Sequence, residues 1–201
     1  MNSQLIDSLG LKLGGNGLPY EIPLHPNLVH FTLGLFIIAI FFDIAGAIFP
    51  LERPIFKILG LRAIRSGFFD VGWYNLLGSV VVTFFTVAAG FFELLLANPS
   101  IDRKSDWGLS ASWTMLLHGL GGVFLLGVIV AMAVWRGLQR YHWRKDASRQ
   151  VQWIYLLAGI AILGILYVHG TLGGQLGSEF GVHVTAAKLL QEGKNPNLLL
   201  K

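Results

Sequence analysis

Four long apolar stretches divide the chain into similar blocks. They cover residues 28–49, 71–97, 109–135 and 151–177, and few charged residues interrupt them. A helix needs about 20 consecutive apolar residues to cross a hydrocarbon core of about 30 Å. The pattern therefore predicts an all-α polytopic membrane protein that folds as a bundle of four transmembrane helices.

The ends of the predicted spans carry helix start and stop signals. Pro50 and Pro99 follow the first and second spans. They are predicted stop signals, because proline cannot continue a helix without loss of a hydrogen bond. Asp70 is a candidate N-cap for the second span, and Ser110 or Ser112 for the third. The resulting domain boundaries are an N-terminal segment at 1–27, a transmembrane domain at 28–177 and a C-terminal tail at 178–201.

Residues 54–65 predict a short interfacial helix between spans 1 and 2. Pro54 suits a first helical position, and Arg53, Lys57 and Arg65 form a basic stripe. Such a helix is expected to lie in the membrane plane on anionic lipid. The alternative is a docking surface for an acidic partner.

The composition agrees with a membrane protein. Hydrophobic residues make up 54% of the chain and charged residues 13%, where soluble domains have about 25% charged residues. The net charge of +4 does not indicate nucleic-acid binding, because the basic residues fall in short loops without an interleaved aromatic surface. The lack of cysteine excludes disulfides and thiolate ligands.

The basic residues predict the orientation, since cytoplasmic loops retain an excess of lysine and arginine. Nine of the fifteen fall in the loops on one side: Arg53, Lys57, Arg62, Arg65, Arg136, Arg140, Arg144, Lys145 and Arg149. The other six are mixed with acidic residues at the termini and in the second loop. Both termini are therefore expected on the non-cytoplasmic side.

Candidate functional residues are the few polar groups inside the spans, because each is costly in lipid. They are His30, Asp43, Asn75, Glu93, His118 and His169, with His25 just outside. In this topology His30, Glu93, His118 and His169 all fall in the non-cytoplasmic half. His118 lies about 12 Å below its helix start, and His169 at a similar depth. His25 is expected at the mouth of this layer.

The two deep histidines share a glycine-rich pattern that is typical of a haem site. His118 precedes Gly119 and Gly122, and His169 precedes Gly170 and Gly173. Glycine leaves the backbone open to a flat macrocycle, and facing helices often hold b-type haem between two histidines. His118 and His169 are the predicted axial ligands, with His30 and His25 either closing the site or binding a second group. The same glycines would also serve close helix packing alone.

Other interpretations of the polar residues stay open. His30, His118 and His169, together with Glu93, could instead ligate copper or zinc, with Met115 as a soft copper ligand. Glu93 is expected to reach the headgroups or to bond to a histidine, with a proton or quinone contact as the alternative. Asp43 is expected to pair with a basic residue such as Arg136, and Asn75 to bridge two helices.

No enzymatic signature is present in the sequence. A phosphate loop, a nucleophile elbow, a pair of carboxylates at a shared site and a zinc-protease helix are all missing. We therefore expect no catalytic residue, and at most an electron carrier.

The histidine and glycine patterns together resemble a known bacterial family. The stretch from Leu24 to Phe31 reads Leu-His-Pro-Asn-Leu-Val-His-Phe, and residues 170–176 read Gly-Thr-Leu-Gly-Gly-Gln-Leu. With a histidine in the third span, these motifs resemble the predicted membrane proteins called domain of unknown function 2231, over about residues 23–184. The resemblance implies a four-helix protein of the bacterial inner or thylakoid membrane, similar to cyanobacterial forms. Phe180 departs from the pattern, which has histidine there, and His183 follows three residues later.

Two functional hypotheses follow. The first is a redox protein that binds b-type haem through the histidine layer and passes electrons to a membrane partner. The second is a haem-free accessory or assembly subunit of a respiratory or photosynthetic complex. Expected partners are membrane lipid and either a larger membrane complex or further copies of the chain, and not nucleic acid.

Overall fold

The computed structural model describes residues 24–59, 64–96, 104–143 and 150–180, and all of its regular elements are helices. They are α1 (Leu24–Ile58), α2 (Arg65–Leu96), α3 (Ala111–Leu138) and α4 (Trp153–Ser178), with a π-helical turn at Gln139–Trp143 after α3. All four helices are long and apolar enough to cross a membrane. The predicted four-span, all-α class is therefore confirmed. The terminal segments that the domain boundaries assign lie mostly outside the described residues.

Helix α1 continues beyond its membrane span, which ends at Phe49. Pro50 has no backbone N–H for the carbonyl of Gly46, four residues earlier. Arg65 replaces that donor, because its Nε donates to the Gly46 carbonyl oxygen at 2.8 Å and its Nη2 approaches the Ala47 oxygen at 3.4 Å. The prediction of a separate helix over 54–65 is wrong, since residues up to Ile58 belong to α1 and 60–63 lie outside the described residues.

The helix starts confirm one predicted cap and correct another. Ser110 caps α3, because the Trp113 N–H approaches its side-chain oxygen at 3.4 Å. Asp70 is not a cap, since α2 already begins at Arg65. It lies in the second turn of α2 and pairs with Arg140 at 2.7 Å.

The chain divides into two compact units, and each contains parts of all four helices. We call residues 28–85 with 124–166 the arginine unit, and residues 1–27, 86–123 and 167–201 the histidine unit. The arginine unit holds the larger apolar core, in which Phe36, Ile40, Leu76, Ile129 and Tyr155 are fully or nearly fully buried. The described part of the histidine unit has a small core of Ala111, Leu176 and Phe180, with Met115 packed against it.

A glycine turn precedes α3 in the histidine unit. Gly108 has a φ of 75°, a left-handed conformation that residues with a side chain rarely adopt. It lets the chain reverse so that the Ser105 N–H donates to the Leu109 oxygen at 2.8 Å. Glu179 at the end of α4 accepts from the Asp106 N–H at 2.8 Å and fixes the turn.

Candidate functional site

The centre of the histidine unit is a stack of two imidazole rings. His118 from α3 and His169 from α4 lie face to face, with ring centroids 4.3 Å apart and planes 9° from parallel. This contact agrees with the expectation that the two histidines lie at similar depth, and their predicted role as haem ligands stays a prediction. Their stacked arrangement was not predicted.

His25, at the start of α1, completes a cluster of three rings. Its ring meets that of His118 edge to face, with centroids 5.9 Å apart and an interplanar angle of 83°. Its Nδ1 lies 2.9 Å from the carbonyl oxygen of Thr86. Because a carbonyl only accepts, Nδ1 carries the proton, and the neutral ring keeps its lone pair on Nε2. We call His25, His118 and His169 the histidine cluster.

Glu93 anchors the first residues of α1 beside this cluster. The side chain is 4% exposed, and its Oε1 accepts from the backbone N–H of His25 at 3.1 Å. An acidic group at a helix N-terminus is favourable, since the first N–H groups have no partner within the helix. Glu93 is thus bonded to a histidine, as one of its predicted roles required, although through the backbone.

Each ring of the histidine cluster packs against a glycine of another helix. A Cβ atom on Gly121 would lie 2.7 Å from Nδ1 of His169, and one on Gly173 would lie 2.8 Å from Cε1 of His118. Gly90 receives His25 in the same way, at 2.8 Å from its Cε1. Helices α3 and α4 therefore exchange histidines, each ring occupying the space of a missing side chain on the other helix.

Only two of the four predicted glycines contact a histidine ring. Gly173 touches His118, and a Cβ on Gly122 would lie 3.9 Å from His169. Gly119 and Gly170 have no atom within 4 Å of their Cβ positions. Gly121 and Gly90 were missed. The signal that locates two of these contacts is the glycine one helical turn after each histidine, His118 to Gly121 and His169 to Gly173, and not the glycine directly after it.

His30 does not belong to the described cluster. Its side chain is exposed, and the residue falls within the arginine unit. The predicted place of His30 in the layer of His118 and His169 stays a prediction, and His25 supplies the third ring of the cluster. Phe180, where the family pattern has histidine, is 1% exposed and fills the small core with Ala111 and Leu176.

The geometry of the cluster bears on its chemistry. Two axial haem ligands point their nitrogens at one iron from opposite faces of the macrocycle. The rings of His118 and His169 are face to face instead, and the contacts at Gly121 and Gly173 leave no room for a macrocycle between them. Within the described ranges, no group of three histidine or acidic side chains could hold a metal ion.

The polar residues of the arginine unit have different partners. Arg136 binds Asp43 through two bonds of 3.0 Å, and both side chains are fully buried, which confirms the predicted pair. Asn75 donates to the Val71 oxygen of its own helix at 2.9 Å, so the expectation that it bridges two helices is wrong.

Comparison with known proteins places the chain in a family. The sequence matches the family described as predicted membrane protein, domain of unknown function 2231, over residues 21–186. The chain belongs to this family. No curated protein and no solved structure matches it. Membership in domain of unknown function 2231 agrees with the four spans, and the likeness to cyanobacterial members stays a prediction.

Proposed function

We propose that the protein binds and releases a proton within the histidine unit and is a proton-responsive membrane protein. The observation that carries the proposal is the contact of three imidazole rings from α1, α3 and α4. Ionisable side chains inside membrane spans are costly and commonly mark proton pathways. Histidine is also the side chain whose charge changes most readily near neutral pH.

The spacing of the rings limits how much charge the cluster holds. Two positive charges at the 4.3 Å separation of His118 and His169 would repel by about 4 kcal/mol at an effective dielectric constant of about 20. The stack is therefore suited to one proton rather than two. Glu93, bonded to the backbone of His25, supplies one negative charge nearby. The ionisable side chains gathered here from the described residues are thus three histidines and one carboxylate.

Proton uptake would act on the helix contacts, because a positive charge weakens the packing of a ring that is buried between helices. The rings touch Gly90 on α2, Gly121 on α3 and Gly173 on α4. A change of ring position is therefore transmitted to the close contacts of these helices. This connects proton occupancy with the packing of the histidine unit.

Nuclear magnetic resonance of histidine-labelled protein in lipid nanodiscs tests the proposal. Between about pH 4 and pH 9, we expect the signals of His118 and His169 to change together, with one proton taken up by the pair. In His118→Gln, the signal of His169 should lose this coupling. Independent changes of the His118 and His169 signals, or no change in either, overturn the proposal.

The b-type haem hypothesis is a second candidate, and one observation favours it. Nδ1 of His118 is buried and has no hydrogen-bond partner among the described residues, which provides an imidazole nitrogen for a ligand. Haem would require α3 and α4 to move apart at the two glycine contacts. Electron transfer to a membrane partner would then be its function.

A visible spectrum of protein purified in mild detergent from haem-replete cells distinguishes the two candidates. Haem predicts an alpha band on reduction that His118→Ala and His169→Ala abolish and His30→Ala leaves in place. Colourless wild-type protein contradicts it. The accessory-subunit hypothesis predicts instead that deletion of the gene lowers the amount of a respiratory or photosynthetic complex.

A further inference from the structure

The end of α3 buries three polar side chains in the arginine unit. Arg136 and Gln139 are fully buried and Arg140 is 6% exposed. Gln139 and Arg140 follow Arg136 by three and four residues, a spacing that places helical side chains on one face. They lie where α3 passes into the π-helical turn Gln139–Trp143, and such turns are frequent at functional sites. We call these three residues the donor cluster.

The donor cluster has more hydrogen-bond donors than described acceptors. Arg136 uses Nε and Nη2 for Asp43, and Arg140 uses Nη2 for Asp70. Arg136 Nη1, Gln139 Nε2 and both Nε and Nη1 of Arg140 are buried without a partner among the described residues. Buried donors without an acceptor are rare in native proteins because they are costly. Four nitrogens on one short segment therefore indicate that an acceptor binds here.

The surrounding charge favours an anion. Asp43 and Asp70 balance Arg136 and Arg140. Arg65 adds a positive charge nearby, since it donates to the carbonyls of Gly46 and Ala47 rather than to a carboxylate. The guanidinium carbons of Arg65 and Arg136 lie 5.8 and 5.7 Å from the same Phe69 ring centre.

We propose that Arg136, Gln139 and Arg140 bind a phosphate group. A phosphate offers several acceptor oxygens to guanidinium groups, which bind it by charge-assisted hydrogen bonds. The basic loops predict that this part of the chain faces the cytoplasm, where basic pockets between spans bind phospholipid headgroups. The phosphate is supplied either by an anionic lipid headgroup or by a soluble phosphate.

Gln139→Glu is the most informative substitution. The Oε1 atom of Gln139 accepts from the Gln152 backbone N–H at 2.6 Å, and glutamate keeps that acceptor. The new carboxylate replaces the unpaired amide nitrogen, repels phosphate and offers an acceptor to the free guanidinium nitrogens. The variant should therefore fold and lose phosphate binding. Gln152→Glu is the matched control, because it adds the same charge next to the cluster and keeps the backbone bond.

Binding is measured on full-length, delipidated protein by native mass spectrometry and by the melting temperature. The probes are phosphatidylglycerol, phosphatidylcholine and inorganic phosphate. For the wild type and Gln152→Glu we expect phosphatidylglycerol to bind about tenfold or more tightly than phosphatidylcholine. Gln139→Glu should abolish this preference. Stabilisation by phosphatidylglycerol alone identifies a lipid headgroup as the source, and stabilisation by inorganic phosphate as well identifies a soluble one.

Two results would overturn the proposal. One is wild-type protein that responds to neither phosphatidylglycerol nor inorganic phosphate. The other is a preference that persists unchanged in Gln139→Glu. Asp146→Asn, in the loop outside the described residues, tests whether a carboxylate of the protein is the acceptor. If this variant loses much stability and the wild type does not respond to phosphate, the unpaired donors belong to Asp146 and the phosphate site is excluded.

Discussion

The two units of the molecule bury polar side chains in different ways. In the arginine unit, opposite charges pair directly, as Asp43 does with Arg136 at 3.0 Å. In the histidine unit, rings that can be neutral stack on each other and against glycine. A buried charge is stable only when an opposite charge offsets its loss of hydration. A neutral ring needs no opposite charge, but it needs space that fits its volume. The first arrangement is sensitive to charge and the second to volume.

The predicted orientation of the loops gives the largest expected effect. Nine basic residues against six predict that the loop at 144–149 is cytoplasmic and the turn before α3 is not. Cysteine at Ser148 should be labelled only from the cytoplasmic side, and cysteine at the exposed Lys104 only from the other side. The reverse labelling pattern refutes the orientation and moves the histidine cluster to the cytoplasmic half.

Loss of one charge from the buried pair should cost the most stability. Asp43→Ala leaves Arg136 without its carboxylate in the interior, which typically costs about 3–5 kcal/mol of unfolding free energy. Asp70→Ala is the comparison and should cost less, because the Asp70 carboxylate is 32% exposed and is screened by solvent, although its partner Arg140 is 6% exposed. Unfolding in mixed detergent micelles measures both. The double variant Asp43→Leu with Arg136→Leu should recover most of the loss, and equal losses for Asp43→Ala and Asp70→Ala contradict this account.

The same contrast explains which contacts could be predicted from the sequence. The four spans follow from the length of the apolar runs, and the pairing of Asp43 with Arg136 follows because a buried charge requires an opposite one. The membership of the histidine cluster does not follow from depth. His30 lies five residues after His25, about 140° around the helix, so the two side chains point to different faces of α1.

The glycine contacts were difficult to predict for a related reason. The glycines directly after the histidines, Gly119 and Gly170, were expected to line the site. No atom lies within 4 Å of their Cβ positions, so they contact neither histidine ring. Gly121 and Gly173, one turn further on, receive the ring of the opposite helix. Which face of a helix meets its neighbour depends on the packing of the whole helix, and a local pattern does not determine it.

Added volume should affect the histidine unit at chosen glycines. Gly121→Ala and Gly173→Ala introduce a methyl group within 3 Å of a histidine ring, and overpacking of this kind costs about 1–3 kcal/mol. Gly119→Ala and Gly170→Ala are matched controls on the same two helices. They should change the unfolding free energy little or raise it by up to about 1 kcal/mol, because alanine favours the helix. Similar losses in both pairs would show that the rings do not fill these sites.

The smallest effect is expected at Glu93, an acidic side chain that is buried in the histidine unit. Its side chain is acidic and buried, and its Oε1 accepts from the backbone N–H of His25. Glu93→Gln keeps an oxygen acceptor and removes the interaction of a carboxylate with the start of α1, about 0.3–1 kcal/mol. Glu93→Leu removes the acceptor and leaves a buried N–H unpaired, which costs about 1–3 kcal/mol. Amide hydrogen exchange near residue 25, together with the unfolding free energy, measures both. If Glu93→Gln is as destabilising as Glu93→Leu, the charge itself is required, and the histidine unit then resembles the arginine unit in depending on a paired charge.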